Sequence, residues 1–501
     1  MLLIAFAALF VLFWTYHLWW KRRNLPPGPV PLPVFGNFFQ FKLFSSPEQA
    51  YIAWSKTYGD VFTFWQGERP VVGVCNYDVM VEYFQKQGDK FEDRPPDAEL
   101  MRYSKGIHYG IINNNGDLWK SQRRFALQVL RDFGLGKDLM EQRVLAECED
   151  LVRNLEEDAA GGVEEHSITC EVDIAIGSVI NSVLFGYRYN KENVEEFEDL
   201  KRRAFIFLQV LGYPTVMVCR LNPNFYEKIP ILGRYVKQSR EVGHHLMDFF
   251  AQRVKQHMKD LESEDMESLE VTDMVAAFLK EKANLDRLNQ PHYFTLEQLY
   301  GFCFDIWIAG QETTSNTIGW GLAYLIMNPQ VQRKIHEELD RVVGSERMIT
   351  IADRANLNYL HATCLEIHRI ANLLPSNIPH AVTEDLNFEG YFLPKETAIV
   401  PLISVVLYDS NIFPEPYRFN PERFLDEDGN VRKIKEFAPF SIGKRVCLGE
   451  NLARMEVFLV IANLMNRLEL LPGKEEPDFT RSHAITSHIK DFKCRVLPRF
   501  R

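Results

Sequence analysis

The chain has 501 residues, 57 of them basic and 68 acidic, for a net charge of −11 at pH 7. A composition 46% hydrophobic and 25% charged is that of an ordinary globular protein, which excludes general disorder and a many-span membrane bundle. The acidic balance also argues against nucleic acid as a partner.

The length allows two to four domains at about 150 residues each, yet no linker-like run interrupts the middle, and one large domain fits as well. Eight cysteines, at 75, 148, 170, 219, 303, 364, 447 and 494, are too scattered for a disulfide framework. They form no C-x-x-C or C-x-x-C-H pair, so zinc, iron–sulfur and a covalently attached c-type haem are excluded.

Residues 2–20 are almost wholly apolar and Lys21-Arg22-Arg23 follow at once. A helix of that length, rising about 1.5 Å per residue, just crosses a hydrocarbon core of about 30 Å. Trp14, Trp19 and Trp20 gather where an interfacial belt would lie. A cleaved signal peptide would carry its charges before the apolar run and end on small residues, so 1–20 is read as a retained signal anchor. The basic residues after the span favour a cytosolic body. The prolines within 21–36 (Leu25-Pro26-Pro27-Gly28-Pro29, Pro31, Pro33) make a stiff, extended hinge.

Alternation within 53–68 and 70–75 predicts a small early sheet. From about 118 to 345 the apolar spacing is helical, and the acidic patches near 141–166 and 259–270 read as solvated faces and loops. Strand-like runs return around 381–400 and at 492–497. The expected fold is mainly α with minor β sheets.

Thr295 with Gln298 reads as a capping box and Asn328-Pro329 as a stop. The roughly 32 residues between would span about 48 Å, mostly apolar on all faces. At their centre lies Ala309-Gly310-Gln311-Glu312-Thr313-Thr314. These polar groups are either a solvated stripe or, if buried, bonded to something, with hydroxyls bonding back to open a local groove. Glu366-x-x-Arg369 sits one turn apart on the next strong helix, 356–373, and is indistinguishable from a surface ion pair. Arg423, in Pro421-Glu422-Arg423-Phe424, is placed to join it as a tertiary staple.

The sharpest signal is Phe440-Ser441-Ile442-Gly443-Lys444-Arg445-Val446-Cys447-Leu448-Gly449, a loop that opens a helix at Glu450. A thiolate at a helix N-terminus gains from the dipole and nearby amides. Gly443 and Gly449 would let backbone approach a flat ligand, and Arg445 would meet a carboxylate on it.

With these residues in place, the chain resembles the cytochrome P-450 family, haem-thiolate monooxygenases, and looks closest to the animal microsomal family 2 type. The loop 440–449 matches F-x-x-G-x-R-x-C-x-G, and Ala309–Thr314 matches A-G-x-[DE]-T-T. Glu366/Arg369 and Pro421–Phe424 supply E-x-x-R and P-E-R-F, in the family's order. The resemblance implies a haem b cofactor with Cys447 as its iron ligand. Trp119, Arg123, His380 and Arg445, with Arg94 beside them, would bind its propionates, and Ala309 would stay small above the ring. Thr313 would be the hydrogen-bond donor on the oxygen side and Glu312 the gate that supplies protons.

The resemblance further implies electrons from NADPH through a membrane-bound flavoprotein reductase, cytochrome b5 as a further donor, and O2 as co-substrate. The expected site is the cytosolic face of the endoplasmic reticulum. Lys120, Arg124, Arg131, Lys433, Lys435 and Lys444 are either a docking face for the reductase or ordinary solvated charge. By position the substrate pocket comprises Ile107, Ile111, Ile112, Phe205, Leu208, Asp305, Ile308, Leu374, Asn377, Ile378, Ile485 and Thr486. Residues 211–233 either dip into the bilayer or roof the cavity, and His483 and His488 have no assigned role. A haem-thiolate isomerase or dehydratase that needs no external electrons is the alternative, and such members tend to lose the threonine kept here as Thr313. Since four separated motifs must meet at one haem, 37–501 is read as one catalytic domain.

Overall fold

The computed structural model describes residues 2–96, 105, 109–134, 139–190, 192–212, 219, 222–261, 268–481 and 485–500. Helix α1 (Leu2–Leu18) carries no acidic residue in its first turn and leaves nearly all of its described side chains exposed. Lys21 reaches back to the body, bonding Glu68 Oε2 at 2.9 Å and lying 4.4 Å over the Trp65 ring. The hinge is pinned to the first strand, where Thr63 N donates to Pro27 O at 2.9 Å. Gly28 is required there, because a Cβ would stand 1.9 Å from Thr63 O.

Helix α2 (Pro47–Tyr58) begins with proline at its first position, where no amide bond is lost. It takes residues 53–58, which the alternation had assigned to a strand. The buried Ala50, Tyr51 and Trp54 follow helical spacing and cover β1 (Val61–Gln66) and β2 (Arg69–Val74). Late in the chain come β3 (His380–Ala381), the hairpin β4 (Leu386–Phe388) and β5 (Tyr391–Leu393), and β6 (Ala398–Pro401). The main sheet runs β1-β2-β6-β3. Its β2 and β6 pair in parallel with Val71 opposite Ala398, and β3 lies antiparallel with His380 opposite Ile399.

The helical body comprises α3 (Gly116–Gly134), α4 (Leu139–Ala160), α5 (Ile168–Phe185), α6 (Val194–Leu211), α7 (Pro230–Asp260), α8 (Met274–Arg287), α9 (Leu296–Met327), α10 (Pro329–Val342), α11 (Asn358–Ala371) and α12 (Glu450–Arg467). Helix α5 is apolar enough to pass for a membrane span, but it is buried against α9. Gly310 permits that approach, since a Cβ there would lie 2.6 Å from Ile180 Cδ1. On α4 the acidic residues are mostly at the surface, except Glu147, which is buried and accepts from Ser178 Oγ at 2.8 Å. The closing hairpin, β7 (Leu468–Pro472) with β8 (Cys494–Pro498), gains a strand that local pattern missed because β7 follows α12 without a turn.

Helix α9 runs unbroken for 32 residues, with Thr295 Oγ1 accepting from Gln298 N at 3.2 Å. Only half of the capping box forms. The Gln298 side chain pairs with the Gly110 backbone in both directions, at 3.1 Å each. This ties the loop before α3 to the start of α9.

Candidate active site

The loop ahead of α12 is shaped by its glycines. Gly443 has φ +79, and a Cβ there would meet Phe84 O at 1.9 Å, so protein packing rather than an approaching ligand demands glycine. Cys447 N donates to Phe440 O at 3.0 Å and Val446 N to Gly443 O at 3.1 Å, closing the loop on itself. Phe440 packs edge-on to His368, with the Arg454 guanidinium 4.7 Å over its ring. Burial pushes the Cys447 thiol up, while the Gly449 amide, Arg123 and Arg454 pull it back toward the thiolate. Cys447 nonetheless keeps open surface, and a Cβ on Gly449 would meet nothing within 4 Å.

Three guanidiniums converge beside it. Arg94 donates to Ile112 O, Ile378 O and Pro379 O at 3.1, 3.2 and 2.9 Å. Arg445 donates to Glu92 O and Asn114 O, both at 2.6 Å, and lies 3.7 Å over the Trp119 ring. Arg123 donates to Val446 O at 2.6 Å. Among the described residues none of the three makes an ion pair. Burial lowers the pKa of each; the Arg123 charge lowers Arg94 further, and the Arg94 and Arg123 charges lower Arg445 further. His380 is buried with Nδ1 at 2.7 Å from Phe91 O, and burial followed by the Arg94 charge holds it well below the ordinary imidazole range. The carboxylates of Glu92 and Asp93 act on Arg445 only from a distance, and a buried positive cluster without direct ion pairs is costly unless an anion arrives.

On α9, Ala309 is exposed although the helix around it is core, so it too borders open space. Thr313 Oγ1 donates to Ala309 O at 2.5 Å and Thr317 Oγ1 to Thr313 O at 2.8 Å. Both hydroxyls thus bond back one turn, as expected, along a helix that stays α-helical through this stretch. Glu312 is 4% exposed and its Oε1 accepts from Asn316 Nδ2 at 3.1 Å. A cavity of about 390 Å³ extends from Ala309, Glu312 and Thr313 outward to Phe35, Phe38 and Phe41 near the hinge, with mostly apolar walls.

The cytochrome P450 family model matches residues 26–496. The chain belongs to the cytochrome P450 family. It is 36% identical over 454 residues to human cytochrome P450 2C8, covering 90% of this chain and 89% of that one. It is 36% identical over 490 residues to rat cytochrome P450 2C23, at 96% of each, and 34% identical over 493 residues to chicken cytochrome P450 2H2, at 96% and 94%. The chain is thus a haem-thiolate P450 monooxygenase acting on lipophilic molecules.

The residues present fit a haem. The unpaired guanidiniums offer counter-charge for two carboxylates, the free space at Gly449 suits a flat ring, and a thiol sits at the helix mouth.

The P450 cavity is lined by nine of the residues expected from position: Ile112, Leu208, Asp305, Ile308, Leu374, Asn377, Ile378, Ile485 and Thr486. Two of these have other duties. Asp305 pairs with Lys105 at 2.9 Å and accepts from Ile111 N and Ile112 N at 2.7 and 2.9 Å, which fixes the loop before α3. Asn377 turns its amide to Pro401 O and Ser441 Oγ, at 3.1 and 2.9 Å.

Ile111 points into the helical core instead of the cavity. Phe205 is 40% exposed and does not line it; Phe207, fully buried on the inner face of α6, does. Ile107 and His483 lie outside the described residues, as do parts of 211–233, where Phe225 and Ile231 are exposed. Sequence reasoning also missed Asn115, whose Oδ1 accepts from Arg94 N at 2.7 Å and Arg445 Nη2 at 3.2 Å. The asparagine run 113–115 before Gly116 was the available signal.

Proposed function

We propose that this P450 draws electrons from NADPH through a membrane-bound flavoprotein reductase, with cytochrome b5 as a second donor. It inserts one oxygen atom of O2 into a fatty acid, steroid or foreign aromatic, the other atom leaving as water. The observation that carries this reading is the meeting of an apolar cavity with an intact acid–alcohol pair, Glu312 and Thr313, on one turn of α9.

When bound, haem would supply the dioxygen chemistry, and a thiolate ligand to its iron would favour O–O cleavage. Cys447 would be the iron ligand. Arg94, Arg123, Arg445, Trp119 and His380 would hold the haem carboxylates, and Phe440, Gly443 and Gly449 would shape the loop that carries the thiolate. Glu312 brings protons to the oxygen side and the Thr313 hydroxyl positions them, while the apolar walls keep bulk water out. Ala309 leaves room for substrate. The apolar lining selects a lipophilic molecule held by shape, with few polar contacts.

Residues 1–20 anchor the protein in the endoplasmic reticulum, 21–36 set the hinge, and 37–501 act as one catalytic unit on the cytosolic face. The exposed Lys120, Arg124, Arg131, Lys433, Lys435 and Lys444 support reductase docking. Three of them are already partly neutralised, Lys120 by Glu92, Lys435 by Asp78 and Lys444 by Asp89.

The test is turnover of the full-length protein in phospholipid vesicles with reductase and NADPH, against fatty acids, steroids and foreign aromatics. Product should need NADPH, and Thr313→Ala should keep its haem while yielding about 10²-fold less product and releasing hydrogen peroxide instead. Product formed without electrons, or full coupling in Thr313→Ala, contradicts the reading.

A further inference from the structure

His488 lies in the segment between the β7–β8 strands, far from α9 in sequence, yet its Nδ1 is 3.0 Å from Glu312 Oε1. Its other nitrogen, Nε2, is 2.8 Å from Thr486 Oγ1. Thr486 is 5% exposed and, like Glu312, lines the cavity, while the His488 side chain keeps 20% of its surface open. Phe205 packs edge-on against the ring at 5.4 Å and fixes its plane. The ring thus lies between a hydroxyl hydrogen-bonded at Nε2 and a carboxylate oxygen 3.0 Å from Nδ1.

We propose that His488 is a proton-positioning residue, linking Glu312 to solvent through the chain Thr486–His488–Glu312. The proposal rests on the monooxygenase reading, in which Glu312 needs a proton source while the cavity stays dry.

The transfer balances without any co-reactant but water. With Nδ1 facing a carboxylate, that nitrogen carries the ring proton and the Thr486 hydroxyl donates to Nε2. When Nδ1–H passes its proton to Glu312, Nε2 takes one from Thr486, whose hydroxyl is resupplied by water reaching it past the open edge of the His488 ring. The ring leaves as the other neutral tautomer and returns by exchange with water. Glu312 does not depend on the ring for its placement, because Asn316 already holds Oε1.

On the Glu312 side of this chain lie Lys201, Asp173, Asp491 and the Cys170 thiol. Lys201 pairs with Asp173 and also senses Glu312 and Asp491, and Thr169 Oγ1 donates to Asp491 at 3.2 Å. Three carboxylates against one ammonium give the region an acidic excess that gathers protons.

The experiment compares wild type with His488→Asn, whose amide nitrogen takes the place of Nδ1 but cannot shuttle, and with His488→Ala. Haem-loaded full-length protein in phospholipid vesicles with reductase is supplied with a substrate that wild type oxidises. The share of NADPH electrons recovered as product and as hydrogen peroxide is read in H2O and D2O across neutral pH. His488→Asn should keep its haem content and thermal midpoint yet shift several-fold toward peroxide, enlarge the solvent isotope effect and flatten the pH profile.

A second readout needs no turnover. The carboxyl infrared band of Glu312, identified by its loss in Glu312→Gln, should move in His488→Asn and His488→Ala. Equal coupling, isotope effect and pH profile in His488→Asn overturn the proposal and leave His488 a mere tether. An unmoved Glu312 band overturns it too. Wild type that forms no product with any substrate instead contradicts the underlying monooxygenase reading, and the infrared band then still decides the contact.

Discussion

Glu366 gathers its partners on two oxygens. Arg369 Nε and Nη2 reach Oε2 and Oε1 at 2.7 and 2.8 Å, Arg423 Nε reaches Oε1 at 3.1 Å, and Asn420 N donates at 2.9 Å. Glu366 and Arg369 are fully buried and Arg423 nearly so. Removing the charge strands two guanidiniums, so Glu366→Gln should cost about 3–5 kcal/mol. Thermal unfolding should show a sharply lowered midpoint with poor haem retention, whereas an unchanged midpoint would show that the cluster carries little. In sequence this pair looked like any surface i,i+3 pair, because spacing reports proximity and not burial. Arg423 was legible as its third member only because a buried arginine needs a carboxylate. The His488–Glu312 contact had no comparable signal, since a lone histidine near the carboxyl terminus carries no spacing that points at α9.

At the scale of elements, α9 was legible at both ends because Thr295 caps it and Asn328-Pro329 stops it, and both are local effects. Residues 53–58 were misread because their apolar side chains also fit a short alternation, and only the sheet beneath them settles the period. Helix α12 hides a titratable group that no local pattern marks. Glu456 is buried against α9 near Thr314, with Oε1 unbonded, and burial raises its pKa to about 8.

The unfolded chain releases that proton near pH 4.5 while the folded one keeps it to about 8. Stability from this group is therefore complete below pH 4.5 and declines as pH rises toward 8. Glu456→Gln should remove the decline, matching wild type near pH 5 and unfolding at a higher temperature by pH 8. Parallel stability–pH curves for the two proteins would contradict that burial.

Across the whole molecule, the strands that frame the site come from residues 61–74 and 380–401, and the cysteine loop lies further on still. Local periodicity cannot see such pairings, which is why the sequence yielded a mainly helical body but not the sheet order or the register at His380. The motifs were readable because each uses residue types whose burial needs a reason: a thiol at a helix mouth, buried arginines, hydroxyls in a core helix. What they imply together is one haem held between α9 and the loop before α12. The most direct measurement is the absorption spectrum of the reduced, carbon-monoxide-bound protein, wild type beside Cys447→Ala. A strongly red-shifted Soret band in wild type, lost in the variant, is predicted; an unshifted band of the histidine-ligated kind in intact wild type would contradict thiolate ligation by Cys447.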